Sequence, residues 1–260
     1  SQVKWRASED GYRVQWIDPQ EVHNLVPEVS ENIKGAVFTT GVADVEPYRL
    51  MLALTTACEK MGVNIIPTRA QGLNHTGSSV KSVSTDRGNI YCDSAVLSMG
   101  PWSLNASEWI KQDIPITPLK GQILRMKSDE VNLPMSVGWR GNYACTKPDG
   151  LLWAGTTEEN TGFDDSTSAF GRDRILTALT KMINGLDSAE LVHHTACLRP
   201  LPADGKIILG HVPNLSNLFI ASGTGRKGIL LGPGMGKITS DLITNQPMGI
   251  DLTPFSLSRF

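Results

Sequence analysis

The chain has 260 residues, of which 40% are hydrophobic and 19% are charged, and its formal net charge is −2. This composition is ordinary for a globular protein and fits one large domain or two interleaved domains. Because the lysines and arginines are spread singly and the apolar runs are short, the sequence argues against nucleic acid or an anionic membrane surface as the main partner and against a membrane span.

In chain order, the first predicted element is a strand in YRVQWID. A short helix follows, which begins after Asp18 at Pro19 and stops near Pro27. A strand in GAVFTT then precedes a longer helix with Asp44 at its start and Gly62 at its end. The apolar residues that recur at helical spacing in this longer helix are Leu50, Ala53, Leu54 and Ala57. The next segment, GVNIIP, is predicted to be a short buried strand.

The second half of the chain is richer in strands. A hairpin with its turn at Asp86-Arg87-Gly88 is followed by a strand that ends at Gly100. The strand-rich segments ITPLKGQILRMK, NYACTKPDGLLWAGTT and AELVHHTACLRPLP bracket a helix that runs from about Ser168 to Ile183, with Gly185 as its stop. DGKIILG and NLFIAS are the last strands, and GKITSDLIT is the last helix. This order predicts a mixed α/β fold, with βα units at both flanks and antiparallel sheet between them.

A glycine-rich stretch, FIASGTGRKGILLGPGMGKITSDL, contains a G-x-G-x-x-G at Gly223, Gly225 and Gly228. We do not interpret it as a dinucleotide-binding fingerprint, because Pro233 and further glycines follow and we expect the helix to start only at residues 234–237. The residues about 20 positions beyond Gly228, where the fingerprint needs an acidic side chain, are Pro247, Met248 and Gly249. What remains is a loop and a helix N-terminus suited to a phosphate or a reduced flavin, with a glycine-rich surface turn as the alternative.

Other segments indicate a family. CDSAVLSMGPWS, PLKGQILRM, NYACTKPDGLLWAGTTEENTGFD, CLRPLPADGKIILG, NLFIASGTGRKGILLGPGMGK and DLTPFSLSRF occur in the order seen in FAD-dependent amino-acid oxidases. The sequence resembles the superfamily of glycine oxidase, D-amino-acid oxidase and sarcosine oxidase, and is most similar to its glycine-oxidase-like branch. The resemblance implies an incomplete FAD-binding Rossmann-like domain (residues 46–107 and 196–260) interleaved with an antiparallel-sheet substrate domain (residues 1–45 and 108–195).

Members of this superfamily begin with a βαβ unit that carries the true G-x-G-x-x-G for the FAD pyrophosphate. No such unit precedes Ser1, and the chain opens where the first substrate-domain segment of the family lies. We therefore expect a C-terminal portion of an oxidase, in which FAD binding is weak or absent. The N-terminal portion of the same enzyme and a second copy of the chain are both open as partners.

The resemblance implies a reaction at a C–N bond. A hydride passes from the α-carbon of a small amino acid or amine to flavin N5, giving an imine, with O2 as the electron acceptor. A guanidinium suits an α-carboxylate because its fork is bidentate and always charged. Arg199 in CLRP matches the carboxylate-binding arginine of the family, Tyr143 in GNYACTKPDG the active-site tyrosine, and Arg226 in GTGRKGILL a second active-site arginine.

Each of these residues also has a structural interpretation. Arg199 could cap a strand end, Tyr143 could be an ordinary strand aromatic, and Arg226 could be an exposed loop cation. Gly141 stands where the family member compared most closely has a histidine, which leaves the side chain of the substrate open. A flavin dehydrogenase with another electron acceptor, and a non-catalytic amino-acid-binding fragment or subunit, remain as alternatives.

The resemblance also implies flavin contacts. Gly100, Pro101 and Trp102 end a strand against the ring system in the family, and the backbone from Gly228 to Lys237 passes the isoalloxazine. The residues expected at the flavin in that second segment are Gly228, Ile229, Leu230, Leu231, Gly232, Gly234, Gly236 and Lys237. The helix dipole there would stabilise the negative charge that develops on reduction. Lys120, near the domain boundary, is as well explained as a plain β-turn lysine.

The remaining candidates are cysteines and histidines. No C-x-x-C spacing occurs, so we predict no metal site. Cys197 matches the place where the sarcosine oxidase branch attaches its flavin, but that branch lacks the LRP that follows here, so we favour a small buried residue over a covalent link. His193 and His194 point to opposite faces of a strand, so at most one could reach a site. We expect a cytoplasmic protein, with a peroxisomal location left open by the ending Ser258-Arg259-Phe260.

Overall fold

The computed structural model describes residues 13–260, which divide into two compact units. The first unit comprises residues 13–55, Gly121–Glu158 and Asp165–Cys197. The second unit comprises Thr56–Lys120, Glu159–Asp164 and Leu198–Phe260. The prediction of a mixed α/β fold with antiparallel sheets is confirmed. The assignment of a substrate domain and an FAD domain to particular segments stays a prediction.

The first unit begins with a two-stranded antiparallel ribbon, β1 (Arg13–Ile17) and β2 (Ala36–Thr40), with helix α1 (Pro19–Leu25) between the strands. The carboxylate of Asp18 accepts a hydrogen bond of 2.9 Å from a backbone N–H of the first turn, which fixes the start of α1. The predicted strand and helix are therefore confirmed, although Tyr12, the first residue of YRVQWID, lies outside the described residues.

The main sheet of the first unit has the strand order β11-β7-β10-β9-β8. Its strands are β7 (Ile116–Lys127), β8 (Val137–Trp139), β9 (Asn142–Thr146), β10 (Leu152–Gly155) and β11 (Glu190–Pro202). The pairs β7 with β10, β10 with β9, and β9 with β8 are antiparallel. The three strand-rich segments of the sequence are thus confirmed as strands, and β7 and β11 each continue into the second unit.

A helix covers one face of this sheet. Helix α4 (Ala169–Met182) begins after Ser168, whose hydroxyl accepts a hydrogen bond of 3.1 Å from the Gly171 N–H. Its buried side chains join those of the sheet in one core cluster, which includes Leu124, Leu152, Ile175, Leu179 and Met182. The helical spacing of Leu176, Leu179 and Met182 predicts this helix with these three side chains on one face. Leu179 and Met182 are buried, and Leu176 packs against the core.

The second unit contains two three-stranded sheets. In the first, β3 (Ala70–Thr76), β4 (Ser79–Thr85) and β5 (Gly88–Tyr91) pair antiparallel in sequence order, with the predicted turn between β4 and β5. In the second, β13 (Leu218–Ser222) pairs antiparallel with β12 (Ile208–His211) and parallel with β6 (Ala95–Leu97). Their shared core includes Val80, Leu97, Ile208, Leu218, Ile220 and Leu257.

The longer predicted helix is present as α2 (Pro47–Lys60), but the expectation that Asp44 stands at its start is wrong. The carboxylate of Glu46, not that of Asp44, accepts hydrogen bonds from the first turn, because the turn begins three residues after Asp44. None of the α2 residues is buried, and Met51, Leu52 and Leu54 are about half exposed. The apolar residues at helical spacing therefore lie on a face of α2 that no other part of the described chain buries.

The predicted buried strand GVNIIP is also wrong. Its residues have no regular secondary structure, and Val63, Ile65 and Ile66 are more than half exposed. A short apolar run forms a strand only where a neighbouring strand pairs with it, and the described residues supply none here. The strand of this region is instead β3, a polar segment that the sequence pattern did not indicate.

The last long helix begins earlier than predicted. A short 3₁₀ helix (Gly225–Lys227) leads into α5 (Gly228–Ile243), which includes Pro233 instead of starting beyond it. Pro233 is the sixth residue of this helix, where it forgoes the hydrogen bond to the carbonyl of Ile229 and its ring crowds that carbonyl, yet the helix continues to Ile243. One condition of the dinucleotide fingerprint, a helix at the third glycine, is thus met. No strand follows α5 among the described residues, so the second parallel strand is missing from them.

The other helical segments are a 3₁₀ helix (Gly100–Ala106), the short helix α3 (Ser107–Ile110) and two 3₁₀ helices near the end (Thr253–Phe255 and Leu257–Arg259). Between residues 13 and 260, the helices all fall short of the length and apolarity that a membrane crossing needs.

Candidate functional site

Two segments predicted to face the flavin lie together in the second unit. The hydroxyl of Ser103 donates to the carbonyl of Gly100 at 2.7 Å and is hydrogen-bonded to the hydroxyl of Ser222 at 2.8 Å. Ser222 Oγ also lies 3.2 Å from the Gly100 carbonyl oxygen. Both serines are buried. This tie fixes the turn Gly100–Trp102 against the end of β13, from which the chain enters the glycine-rich segment.

The turn exposes apolar surface. Gly100 has a φ of +54°, and a side chain there would meet nothing within 4 Å. The indole of Trp102 is 51% exposed and stacks on the ring of Phe163, with 5.8 Å between the ring centroids. Trp102 also borders a cavity of about 950 Å³. The other residues that line this cavity are Arg69, Ala70, Gln71, Met99 and Asn105.

Helix α5 exposes a second apolar surface. Ile229 and Leu230 are exposed, and Leu230 is 77% accessible. Its glycines border open space, since an added Cβ would meet nothing within 4 Å at Gly232, Gly234 or Gly236. Lys227 precedes the helix and provides no side-chain cap for the N–H groups of the first turn. A flat group could therefore approach both the backbone and the positive end of this helix.

The two candidate arginines lie on neighbouring segments of the second unit. Arg199 is half-buried on β11, and Arg226 is exposed in the 3₁₀ helix that precedes α5. A Cβ on Gly223 would lie 2.6 Å from Cγ of Pro202, and one on Gly225 would lie 4.0 Å from Cδ1 of Leu201. The glycine-rich loop is thus packed on the end of the strand that carries Arg199.

Tyr143 lies in the first unit, where its position depends on a glycine. It pairs with Gly155 across β9 and β10. A Cβ on Gly155 would lie 3.0 Å from Cε1 of the Tyr143 ring and 2.9 Å from Cγ2 of Ile123. Gly155 therefore leaves the space that the half-buried phenol ring occupies. Gly141, at the tip of the β8–β9 turn, has a φ of +82°.

Lys120 is a buried strand residue and not the β-turn lysine of the alternative interpretation. Its side chain is 3% exposed, and Nζ lies 2.8 Å from Oδ2 of Asp164 and 3.7 Å from Oε2 of Glu159. The backbones of Lys120 and Glu159 exchange two hydrogen bonds of 3.0 Å. The hydrogen bond from Lys120 to Asp164 raises the pKa of the lysine above its ordinary value. The sequence did not indicate this cluster, since 44 residues separate the lysine from Asp164.

The first unit contains a further ion pair that the sequence did not indicate. Nζ of Lys147, which is buried, lies 3.2 Å from Oδ1 of Asp44 and 3.3 Å from the Val45 carbonyl oxygen. Burial raises the pKa of the neighbouring Cys145 thiol. The pair borders an open, largely apolar cavity of about 1610 Å³, whose walls include Trp16, Ile17, Val26, Phe38, Met135 and Trp139.

The remaining candidates have different outcomes. Cys197 is a free and exposed cysteine, so the expected burial of its side chain is wrong. On β11, His193 is exposed and His194 is half-buried. In residues 13–260, no group of three or more histidine, cysteine, aspartate or glutamate side chains could hold a metal ion.

Comparison with known proteins gives a consistent result. A family model described as FAD dependent oxidoreductase matches residues 2–242. Glycine oxidase from Pseudomonas putida is 29% identical over 242 residues, which are 92% of this chain and 66% of that protein. Hydrogen cyanide synthase subunit HcnC from Pseudomonas aeruginosa is 29% identical over 251 residues, which are 95% of this chain and 60% of that protein. The chain therefore spans less than two thirds of the length of these relatives.

Among solved structures, glycine oxidase from Geobacillus kaustophilus superimposes with a TM-score of 0.91 at 28% identity. The superposition covers 96% of this chain and 68% of that structure. The similarity thus extends over both units of the described chain.

Proposed function

We propose, from the premise that the chain belongs to the FAD dependent oxidoreductase family, that it carries flavin-facing and substrate-binding residues for oxidising the C–N bond of a small amino acid or amine. The observation that carries this proposal is the buried tie between Ser103 and Ser222, which joins the Gly100–Trp102 turn to the strand before the glycine-rich segment. Two segments 119 residues apart in the sequence thereby meet beside exposed apolar surface.

The described residues fit a flavin on chemical grounds. Exposed apolar side chains and side-chain-free backbone at Gly100, Gly232 and Gly234 suit the close approach of a flat, largely apolar ring. The positive end of α5 suits the ring edge that becomes negative on reduction. When bound, FAD would supply the acceptor for the hydride of the α-carbon, which carries both electrons of the oxidation. We propose that Trp102 and the segment from Gly228 to Lys237 bind it.

We further propose that Arg199 and Arg226, both in the second unit, bind the α-carboxylate of the substrate. For Tyr143, in the first unit, we propose a role in substrate binding through its hydroxyl. Two guanidinium groups on adjoining segments would hold a small anionic group in a fixed direction. The names of the relatives, glycine oxidase in particular, favour a small amino acid as the substrate. We propose O2 as the electron acceptor, so that each turnover yields one peroxide.

We expect the affinity of the chain for FAD to be weak. The described residues offer surface for the ring system, but residues 13–260 contain no βαβ unit with a G-x-G-x-x-G, the unit that the resemblance implies for the FAD pyrophosphate. The pyrophosphate of FAD therefore has no recognised glycine cradle in residues 13–260.

The flavin contacts can be tested with a substitution that leaves folding intact. Gly234→Leu places a side chain into open space on α5, where leucine is also a better helix former than glycine. We expect unchanged or increased stability and an FAD dissociation constant raised by more than about tenfold. Thr177→Leu, an exposed change on α4, is the matched control. Equal FAD affinity of Gly234→Leu and the unmodified chain would place the flavin elsewhere.

A further inference from the structure

We propose that Lys120 is a positioning residue: its ammonium group fixes the segment Glu159–Asp164 so that Phe163 stacks on Trp102 and sets the orientation of that indole. One part of this proposal rests on the proposed function, namely that the indole of Trp102 contacts a flavin. The juxtaposition itself involves residues of the second unit alone.

The segment that carries Phe163 lies on the surface. Every residue from Asn160 to Thr167 is exposed, so no side chain of this stretch is anchored in a core. The two ion pairs of Lys120 and the backbone bridge between Lys120 and Glu159 attach the segment to a buried strand residue. A buried ammonium group destabilises a fold unless a carboxylate pairs with it. The charge of Lys120 therefore favours the position of the segment in which Glu159 and Asp164 lie beside it.

Phe163 immediately precedes Asp164, the closer of the two carboxylates to Lys120. Holding Asp164 therefore limits where the Phe163 ring can go. The rings of Phe163 and Trp102 stack at 5.8 Å between centroids with 29° between their planes, although both side chains are about half exposed. An exposed aromatic pair is worth little by itself, so without the ion pair we expect it to open.

The orientation of Trp102 matters for binding. Its indole lines the cavity that also borders Arg69, Met99 and Asn105, and it belongs to the turn tied to Ser222. An indole that stacks on Phe163 presents one defined face to a planar ligand. Without that stacking the indole is mobile, and binding must then also offset the conformational entropy lost when the ring is fixed. We expect release to weaken FAD binding by about threefold to tenfold.

The experiment uses fluorotryptophan labelling of the full chain and fluorine NMR, with the Trp102 signal assigned by its loss in Trp102→Phe. We expect Phe163→Ala, Lys120→Met and Asp164→Asn to shift or broaden this signal in the same direction. Lys120→Arg keeps the charge and should keep the signal. Lys81→Met, which removes an exposed lysine of β4, is the matched control and should leave the signal unchanged.

Two results would overturn the proposal. One is a Trp102 signal that moves in Phe163→Ala but stays unchanged in Lys120→Met and Asp164→Asn. The other is a signal that Lys120→Arg alters as much as Lys120→Met does. If Lys120→Met fails to fold, which loss of the signal of Trp109, packed on the core of the second unit, would reveal, Asp164→Asn decides alone, because the Asp164 side chain is 47% exposed and tolerates the change.

FAD titration of the same variants separates this proposal from the proposed function. Weaker FAD binding in Lys120→Met and Asp164→Asn, with binding retained in Lys120→Arg, supports both. If FAD binds none of the proteins while the Trp102 signal responds as expected, the proposed function fails and the positioning role stands. If FAD binds all variants equally well while the signal responds, the role of Trp102 at the flavin is overturned.

Discussion

Gly171 lies in the first turn of α4, where the helix packs against β7. An added Cβ would lie 2.3 Å from Nε2 and 2.5 Å from Cδ of Gln122, whose side chain is fully buried. The Gln122 amide accepts a hydrogen bond from the Ser168 N–H at 2.9 Å and donates one to the Ser168 hydroxyl at 3.1 Å. Gly171→Ala therefore forces this amide to move and breaks both bonds.

Two effects of opposite sign compete in this substitution. Alanine is favoured over glycine in a helix by about 1 kcal/mol. Displacing a buried amide from its partners costs about 1–3 kcal/mol for each polar group left unsatisfied. Because both Gln122 atoms lose these partners, the cost exceeds the gain, and we expect a net loss of about 2 kcal/mol in the free energy of unfolding.

Urea unfolding followed by circular dichroism measures this difference. Gly236→Ala is the matched control, since an added Cβ there meets nothing within 4 Å and should stabilise the chain by up to about 1 kcal/mol. In a Gln122→Ala background, Gly171→Ala should no longer be destabilising, because the clash is gone. A Gly171→Ala chain as stable as the unmodified chain would refute the reasoning.

Three further predictions concern other residues. The Arg259 guanidinium binds both carboxylate oxygens of Asp204 at 2.8 and 3.0 Å and three backbone carbonyls; Arg259→Lys should lower stability by about 1–2 kcal/mol, and an unchanged melting temperature would contradict this. The hydrogen bond from Arg259 lowers the pKa of Asp204 from 3.8 to about 2. The ionised Asp204 carboxylate should therefore contribute about 1 kcal/mol to the free energy of unfolding, after allowing for solvent screening, above about pH 4, and this contribution should be lost as the pH falls towards about 2. Asp204→Asn should remove that part of the pH dependence of the free energy of unfolding. Gly155→Ala should displace the Tyr143 ring, and the loss in the free energy of amino-acid binding should exceed the loss in the free energy of unfolding. If Gly155→Ala and the unmodified chain bind the amino acid with equal affinity, this tyrosine has no role in binding.

The sequence predicted those helices and strands whose local sequence pattern agrees with the way they pack in the structure. The helix from Ser168 to Ile183 was predictable because its cap, its helical spacing and its stop glycine all indicate the same element. The hairpin at Asp86-Arg87-Gly88 was predictable from its turn. The exposed faces of α2 and of residues 63–66 were not, because an apolar pattern indicates a face without saying which layer covers it.

The site was predictable in part. Family resemblance indicated the turn Gly100–Trp102 and the glycine-rich segment, and the structure brings these two together. The contacts that hold them were not readable, since Ser103 and Ser222 lie 119 residues apart and serine is common on surfaces. The sequence predicts that α5 starts beyond Pro233, because proline and glycine are the weakest helix formers, whereas the helix begins at Gly228 and includes them.

The most direct test of the proposed activity is anaerobic incubation of the chain with excess FAD and glycine. We predict that the visible absorbance of oxidised flavin is lost at a rate proportional to the concentration of the chain. Arg199→Met should raise the glycine concentration that gives half the maximal rate of flavin reduction by about 100-fold, because it removes the proposed charge-assisted bidentate contact. The control Arg87→Met, which removes an exposed arginine, should behave like the unmodified chain. Flavin that stays oxidised with glycine and other small amino acids, or that is reduced equally well by Arg199→Met, would contradict the proposal.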